Sequence, residues 1–478
     1  MRQIRQQTNS NLTADQYKVF DKVLSNIIFT TSNCLKHTDI KMQISSIVGS
    51  AGTGKTFLTI ELVRSILENN LSVAITAPTN KAVGVISQYL SKNSIQATTK
   101  TIHSFLCIKE FKDYSTGAIT FKVDQKAKKT KVDVLIVDES SMVSQELFEL
   151  ICDAIQSGLV GYVVFVGDSN QLLPINDVIS EVFTLKNNYK LTQIIRQAKD
   201  SYIIDIANKL KDCIESKQFM PLDEFFKNNH YKELKMFHNE QAFLRDFYSE
   251  ANWLKKNKII TSYKNIDVNG FNKQVRDEQW RQKGIASNEF LRQGDRIRFV
   301  NPYTVNDINI YYNGQEIELE YTIQKYQEEL EIYYWECKNV NHDEQQIFRV
   351  VDPISENTFN DKLKYLAKKA KSLKDYRQKA DMWKLYFQLK ESYANIQYVF
   401  SSTIHKLQGS TYDECYINAY DLVTNNMLSD EERYRLLYVA VTRASKDIKI
   451  FLPALKNDND IDIEKIHQEI DQKLKMIF

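Results

Sequence analysis

One segment of the sequence has the residue types that bind phosphate. Gly49-Ser-Ala-Gly-Thr-Gly-Lys-Thr56 fits the spacing G-x-x-x-x-G-K-[ST] between a predicted strand and a predicted helix. Glycines let successive backbone N–H groups turn toward an anion, and the start of the helix adds partial positive charge. Lys55 is expected to reach the β- and γ-phosphates, and the Thr56 hydroxyl to bind Mg²⁺. The segment predicts a site for ATP and Mg²⁺ that also includes Ser50, Ala51, Gly52, Thr53 and Gly54.

Two carboxylates follow a second predicted strand. Val134-Leu-Ile-Val-Asp138-Glu139 places them at the carboxyl end of that strand, where ligands bind in open α/β sheets. Asp138 is expected to join the Mg²⁺ shell, and Glu139 to orient and deprotonate an attacking water. The alternative is a strand that simply ends in turn-forming acids. Two adjacent acids favour hydrolysis of the nucleotide over binding alone.

Phosphoryl transfer also needs groups that sense and neutralise the γ-phosphate. Gln171, at the end of Gly167-Asp-Ser-Asn-Gln171, is the candidate for sensing it, against the alternative of an ordinary strand-to-loop exit. Arg196 and Arg443 are candidates for the arginine that stabilises the transition state, a role worth about 10³ to 10⁵ in rate. Without their flanking residues, either arginine would be interpreted as a surface side chain.

The elements that position these residues follow from the hydrophobic pattern. Buried strands are predicted at Ile44–Val48, Leu71–Ala77, Val132–Val137 and Tyr162–Val166, with helical segments such as Phe57–Asn69 between them. This alternation predicts a parallel sheet with crossover helices. The pattern resumes after Leu191, with strands predicted at Lys258–Thr261 and Gln397–Ser401.

Two inserts interrupt the α/β pattern. Phe105–Lys131 contains two alternating segments around Tyr114–Gly117, which predicts a projecting β-hairpin. Arg292–Val351 is rich in Tyr, Ile and Val without helical periodicity, which predicts a small β-barrel. Phe359–Tyr393 predicts a pair of charged helices, with Trp383 and Phe387 on one face.

Composition excludes several classes of protein. The 478 residues are 43% hydrophobic and 26% charged, which fits neither a collagen-like, a membrane-spanning nor a disordered chain. The balance of 63 basic and 61 acidic residues leaves a net charge of +2, so any nucleic-acid contact must be local. The six cysteines lack the C-x-x-C spacing of a zinc or redox site. Residues 1–13 lack the apolar core of a signal peptide, and Leu159–Val166 is too short to cross a membrane.

Taken together, the motifs resemble those of superfamily 1 DNA helicases, in the RecD-like branch that includes the Dda type. The resemblance spans Leu12 to Leu452 and implies an α/β fold with two RecA-like P-loop domains. The ordered segments are Gly49–Thr56, Thr76–Asn80, Thr101–Ser104, Asp138–Ser141, Gly167–Gln171, Thr192–Gln197, Ser402–Ser410 and Tyr438–Ala444.

The resemblance implies a domain organisation. The first RecA-like domain would span residues 1–190, with the hairpin (residues 105–131) acting as a pin. The second RecA-like domain would comprise 191–285 and 396–455, interrupted at 286–395 by a barrel similar to a Src-homology-3 domain and by a helical tower that braces the pin. Residues 456–478 would form a C-terminal tail.

Further residues receive roles from the resemblance. Gln16 would read the adenine edge, and Gln408 and Gly409 would lie near the γ-phosphate. Phe105, Phe111 and Phe121 are candidates for the wedge, because bases stack on aromatic rings at about 1–3 kcal/mol each; a hairpin that packs its own aromatics is the alternative. The residues implied to contact single-stranded DNA are Pro78, Thr79, Asn80, Thr101, His103, Phe105, Thr403, His405 and Lys406.

The sequence therefore predicts an ATP-dependent DNA helicase that moves along single-stranded DNA, with 5′-to-3′ polarity implied only by the resemblance. Forked duplex DNA and proteins of replication or recombination are the expected partners. A monomer in the cytoplasm is expected, in the host cell for a phage protein. Two alternatives remain open: a translocase that displaces bound proteins, and an ATP-gated clamp on single strands.

Overall fold

The computed structural model describes residues 12–32, 40–172, 181–195, 201–229, 231–286, 289–305, 308–339 and 347–453. The strands, in chain order, are β1 (Ile44–Gly49), β2 (Val73–Ala77), β3 (Thr98–Thr101), β4 (Ile108–Lys112), β5 (Ile119–Val123), β6 (Val132–Val137), β7 (Val160–Gly167), β8 (Asn188–Leu191), β9 (Lys235–Phe237), β10 (Lys258–Ser262), β11 (Arg296–Phe299), β12 (Tyr303–Val305), β13 (Ile308–Tyr311), β14 (Glu316–Gln327), β15 (Ile332–Asn339), β16 (Phe348–Val351), β17 (Ile396–Tyr398), β18 (Ser401–Thr403), β19 (Tyr412–Asn418) and β20 (Ala444–Phe451). The α-helices are α1 (Ala14–Ser32), α2 (Lys55–Glu68), α3 (Asn80–Lys92), α4 (Ile102–Phe105), α5 (Gln145–Gln156), α6 (Tyr202–Ser216), α7 (Leu222–Asn228), α8 (Glu240–Phe247), α9 (Asn265–Gln282), α10 (Glu356–Ser372), α11 (Tyr376–Glu391), α12 (Tyr420–Val423) and α13 (Asp430–Val441).

The first lobe is built on a six-stranded sheet of order β3-β2-β6-β7-β1-β8, with every neighbouring pair parallel. Helices α1, α2 and α3 pack on one face, and α4 and α5 on the other. Along β6, Val134 and Ile136 enter the first core, whereas Leu135 and Val137 enter the second. Burial on both faces explains the continuous apolar strands. The parallel pairing of all neighbouring strands confirms the predicted parallel sheet. The lobe ends with β8 at Leu191, one residue beyond the predicted boundary.

The second lobe is a five-stranded parallel sheet of order β18-β10-β19-β20-β9. Helices α6 and α13 cover one face, and α8 and α9 cover the other. The strand predicted at Lys258–Thr261 is confirmed as β10.

The strand predicted at Gln397–Ser401 is wrong. The chain there forms two strands in different sheets: β17 pairs antiparallel with β11 of the insert, and β18 pairs parallel with β10 of the second lobe. Val399 and Phe400 lie between them, each 6% exposed, in the core of the second lobe. Polar and apolar residues are mixed across residues 396–403, so periodicity alone does not reveal the change of sheet. The insert therefore ends at Tyr398 instead of residue 395.

The inserted β unit is a five-stranded antiparallel sheet of order β16-β15-β14-β11-β17 with the separate ribbon β12-β13. Tyr303 and Tyr311 of the ribbon pack on Phe348 of β16, with ring centroids 6.3 and 5.4 Å away. The ribbon thereby covers a shared core, which fits a small barrel-like unit, although the described strands are joined in two separate sheets. The predicted helical pair is α10 and α11, and Trp383 and Phe387 share one face of α11, as predicted, where they pack against Ala370.

The hairpin predicted in residues 105–131 is confirmed as β4 and β5, paired from Ile108–Val123 to Lys112–Ile119. Its turn, Asp113–Ala118, is closed by backbone hydrogen bonds from Gly117 N and Thr116 N to Asp113 O. The five described cysteines are free thiols. Among the described residues, no helix is long and apolar enough to span a membrane.

Candidate nucleotide site between the two sheets

The phosphate-binding sequence forms the turn between β1 and α2. Gly52 and Gly54 adopt φ angles of 80° and 76°, in the left-handed region that favours glycine. A Cβ at Gly54 would be strained by the positive φ and would lie 2.5 Å from Nε2 of Gln16, so glycine is favoured there. This tight glycine turn leading into a helix N-terminus is the geometry that a triphosphate requires.

Lys55 is held by the loop that precedes it. Its Nζ donates hydrogen bonds to the carbonyl oxygens of Gly49 and Ser50, at 2.6 and 3.2 Å. Thr56 follows in the exposed first turn of α2. The structure thus places both side chains at the phosphate loop, as the motif predicts.

Gln16 lies on α1 and packs against the same loop. It is 2% exposed, and its Nε2 donates to Thr53 O at 3.0 Å. Its Oε1 accepts from Thr13 N–H at 3.1 Å. Both ends of the amide are therefore bonded within the protein, and its role toward adenine stays a prediction.

Asp138 and Glu139 follow β6, at the same sheet edge as the phosphate loop. Glu139 has a φ of 50°, and Asp138 N–H donates to Thr76 O at 2.8 Å. Burial and the charge of Glu139 raise the pKa of Asp138 to about 7, and the Lys55 ammonium partly opposes this. A nearby cation would stabilise the ionised form of this buried carboxylate. Hard oxygen donors such as those of Asp138 and Thr56 suit Mg²⁺, which keeps several waters when bound. The described residues contain no cluster of three or more His, Cys, Asp or Glu that could hold a metal unaided.

Arg443 reaches this edge from the second lobe. Its Nη1 lies 3.9 Å from Glu139 Oε1, and only 6% of the residue is exposed. Hydrogen bonds from Nε to Val439 O and from Nη1 to Ser410 O, each 3.2 Å, fix the guanidinium. The structure therefore brings together the predicted base and the predicted arginine across the cleft.

Three other predicted residues also line the contact between the lobes. Gln171 is 5% exposed and accepts from the Ser141 hydroxyl at 3.5 Å. Gln408 of the second lobe donates to Leu172 O at 3.4 Å. Gly409 has a φ of 73°, and a Cβ there would lie 2.8 Å from the Cβ of Ala82 in the first lobe. The second lobe approaches so closely here that only glycine fits.

Arg196 lies outside the described residues, so its predicted role stays a prediction. The described segment 181–195 ends just before it at Ile195, whose N–H donates to Gly52 O at 3.1 Å.

Two cross-cleft residues were missed by the sequence reasoning. The Tyr438 hydroxyl contacts Asp168 and the backbone of Ala51. Arg435 Nη1 donates to the carbonyls of Ser169 and Gln171, at 2.9 and 3.1 Å. Arg435 and Tyr438 are three positions apart on α13 and therefore share one face of this helix, which was the available signal.

The predicted single-strand contacts of the first lobe lie at the carboxyl edge of β2 and β3. The hydroxyls of Thr79 and Thr101 cap α3 and α4, accepting from Ala82 N–H and Ser104 N–H at 3.2 Å each. Since β2 and β3 are parallel neighbours, both caps lie at one edge of the sheet. Pro78 is half-buried beside them, and Asn80 and His103 are exposed.

The second lobe presents a matching edge. Thr403, 6% exposed, accepts from Lys406 N–H at 3.4 Å, and His405 and Lys406 are exposed. The His405 ring lies 5.8 Å from that of Tyr263, which follows the neighbouring strand β10. Desolvation lowers the pKa values of His103, His405 and Lys406, which favours neutral imidazoles at pH 7.

The prediction that Phe105 contacts DNA or acts as the wedge is wrong. It ends α4, is 1% exposed, and packs in the core of the first lobe, so its ring has no face for a base. Apolar periodicity placed it at the hairpin, but the first strand of the hairpin begins at Ile108. Phe111 and Phe121, by contrast, are 42% and 57% exposed. They lie opposite Thr120 and Glu110, which puts them on opposite faces of the hairpin.

The fold and the site define a P-loop ATPase with two RecA-like lobes. Two family models match the chain: an AAA domain at residues 34–223 and a UvrD-like helicase C-terminal domain at residues 398–448.

Individual proteins resemble most of the chain. An uncharacterised protein of Acanthamoeba polyphaga mimivirus is 25% identical over 84% of this chain and 94% of its own length. The ATP-dependent DNA helicase dda of Enterobacteria phage T4 is 25% identical over 84% of this chain and 93% of its own length. The crystal structure of the Pif1 helicase from Bacteroides with ADP-AlF3 and ssDNA covers 96% of this chain and 98% of that one, at 17% identity and a TM-score of 0.47. The chain is therefore similar in sequence to the superfamily 1 helicases of the Dda and Pif1 type.

Proposed function

We propose that this chain is an ATP-dependent DNA helicase that moves along single-stranded DNA from 5′ to 3′ and separates the duplex ahead of it. The observation that carries the proposal is the approach of Arg443 to Glu139, 3.9 Å across the cleft. An arginine that belongs to one lobe and completes a hydrolytic site in the other links the chemical step to the relative position of the lobes.

The residues divide the chemical work as follows. Lys55 and the glycine turn would hold the phosphates, and Thr56 and Asp138 would hold Mg²⁺, which neutralises charge that develops on the phosphoryl group. Glu139 would orient and deprotonate water, while Arg443 would stabilise the transition state. Gln171 and Gln408, both buried at the contact between lobes, would respond to the γ-phosphate.

Movement along DNA would use the two matching sheet edges. Thr79, Thr101 and Thr403 lie at strand ends in different lobes. Contacts from such edges to phosphate and sugar do not depend on base sequence. Opening and closing the cleft would then change the spacing between the two sets of contacts and advance the strand. One chain supplies both lobes, so a monomer is sufficient for this scheme.

The hairpin would separate the strands, and it is supported at both ends. Its base continues from α4 of the first lobe, and its turn packs on α11 of the insert. Gly117 leaves room there for the Trp383 ring, Tyr114 lies edge-on 6.0 Å from Phe387, and Lys112 pairs with Glu391. Opening one base pair costs on the order of 1.4 kcal/mol of stacking, so a fixed wedge needs only to block reannealing.

Steady-state ATP hydrolysis with and without oligo-dT tests the motor. Strong stimulation supports it, whereas release of nucleotide after a single turnover would indicate an ATP-gated clamp. Duplexes with only a 5′ or only a 3′ overhang then test unwinding and polarity together. A chain that displaces bound protein from single strands but opens neither duplex would be a translocase.

A pair of substitutions tests the wedge. Phe121→Ala and Phe111→Ala should each keep DNA-stimulated ATP hydrolysis, and at least one should slow unwinding about tenfold, because one stacked ring is worth about 1–3 kcal/mol. Unwinding at the wild-type rate in the double variant would remove the wedge role from these rings.

A further inference from the structure

Tyr438 joins three parts of the nucleotide cleft. It lies on α13 of the second lobe and is fully buried. Its hydroxyl accepts a hydrogen bond from Ala51 N–H at 3.2 Å and donates one to Oδ2 of Asp168. The other carboxylate oxygen of Asp168 accepts from Asn170 N–H at 3.0 Å. One hydroxyl thus connects the phosphate loop, the loop after β7 and the helix that leads to Arg443.

The chemistry of the hydroxyl suits a fixed link. It can donate and accept at once only while it is protonated, and burial together with the charge of Asp168 raises the pKa of Tyr438 well above its usual value. Ala51 is the third residue of the phosphate loop, where the orientation of each peptide decides where its N–H points. The position of α13 is therefore transmitted to the backbone that would hold the phosphates.

We propose that Tyr438 is a positioning residue for ATP hydrolysis, which fixes the phosphate loop relative to α13 so that Arg443 is held beside Glu139. The proposal rests on the proposed ATP hydrolysis but not on movement along DNA. Arg435 also ties α13 to the loop after β7, through Ser169 and Gln171. Only Tyr438 of the two contacts the phosphate loop as well.

Tyr438→Phe removes the hydroxyl and keeps the ring. Ala51 N–H and Asp168 Oδ2 would lose their shared partner, while Lys55 and Thr56 stay unchanged. We expect kcat for ATP to fall about tenfold, equivalent to about 1.4 kcal/mol in the barrier, with KM for ATP within about twofold of wild type. A loss confined to KM, or an unchanged kcat, would overturn the proposal.

Tyr434→Phe is the matched control. Tyr434 lies one turn earlier on α13 and is 1% exposed. Its hydroxyl accepts from Met220 N–H at 3.2 Å and donates to Met220 O at 2.9 Å, so both contacts stay inside the second lobe. This variant should keep kcat within about twofold of wild type. Equal losses of kcat in the two variants would show a general effect of removing a buried hydroxyl and would refute the specific role.

A double-mutant cycle with Asp168→Asn provides a second measurement. If the hydroxyl and the carboxylate act as one unit, the double variant should be no slower than the slower single variant by more than about twofold. Additive losses in kcat would contradict the proposal. The cycle is measured without DNA, so absent stimulation by oligo-dT would refute the helicase function and leave the result for Tyr438 intact.

Discussion

Each lobe has a strand-to-helix turn at the same place in its sheet, and the two turns are built in opposite ways. In the first lobe, β1 lies between β7 and β8 and leads through the glycine turn into α2. In the second, β10 lies between β18 and β19 and leads through Tyr263 and Lys264 into α9. The backbone N–H groups of these two residues donate to the buried carboxylate of Asp421.

The contrast gives a physical reason for assigning the proposed phosphate site to the turn of the first lobe. A turn whose N–H donors are already bound by an internal carboxylate has none to offer an external anion. The second lobe instead contributes long side chains: Arg435 and Tyr438 from α13, and Arg443 from just beyond the end of that helix. Side chains on a rigid helix move together when the lobe rotates, whereas the glycine turn stays with its own sheet.

The largest effect should come from Lys55, the lysine at the glycine turn of the first lobe. Lys55→Ala should abolish ATP turnover and leave single-strand binding nearly unchanged, because the cation that faces the phosphates is lost. Lys264→Ala, at the corresponding turn of the second lobe, should keep turnover at saturating DNA. Phosphate release and anisotropy of labelled oligo-dT measure the two properties. Normal turnover in the Lys55 variant would disprove the assigned phosphate site.

Arg443→Ala tests the contribution of the second lobe to the cleft. It should bind ATP but hydrolyse it at least about 10³-fold more slowly, because the transition state loses its arginine. Arg433→Ala is the control: Arg433 lies on α13, the helix that leads to Arg443, but it bonds Leu422 O, Asn425 O and Asp430 within the second lobe. A near-normal kcat in the Arg443 variant would move the arginine role elsewhere.

Tyr263→Ala asks whether the second turn faces DNA. Removing the ring beside His405 should weaken oligo-dT binding by about 1–3 kcal/mol, the value of one base stacked on an aromatic side chain. KM for ATP measured without DNA should stay at its wild-type value. Wild-type affinity for oligo-dT would show that this turn has only a structural role.

Asp421→Asn tests the turn of the second lobe, whose N–H groups bind this carboxylate, through the free energy of unfolding. Burial raises the pKa of Asp421 from 3.8 to about 7, although the two backbone N–H groups act in the opposite direction. The native state therefore binds a proton more tightly than the unfolded chain, so this stabilising contribution is complete below pH 4 and is lost as the pH rises through 7. The neutral amide should stabilise the fold on the order of 1 kcal/mol at pH 8, with the gain vanishing near pH 4. Urea unfolding at both pH values measures it, and a gain that is independent of pH would reject the titration of Asp421 as its cause.

Most of the first lobe could be predicted from sequence because its signals are local. The glycine turn, the acids after β6 and the hairpin each depend on residues that are adjacent in the chain. The parallel order of the strands follows from the alternation of apolar strands and helices. Phe105 was misplaced because burial and exposure of an aromatic ring look alike in a sequence.

The contacts across the cleft could not be predicted in the same way. Tyr438 and Ala51 are 387 positions apart in the chain, and no local pattern relates them. The division of residues 396–403 between two sheets depends on which neighbours the strands find in space. The motif that contains Arg443 was visible, but its distance from Glu139 depends on how the two lobes meet.

The hairpin also bears on how far the two lobes can move apart. Its root moves with the first lobe, and its tip rests on α11, which is inserted in the second. A hairpin that contacts both lobes is expected to limit how far the cleft between them can open. Weakening the contact of the turn with Trp383 and Phe387 is therefore expected to let the cleft open wider and to hold the hairpin less firmly.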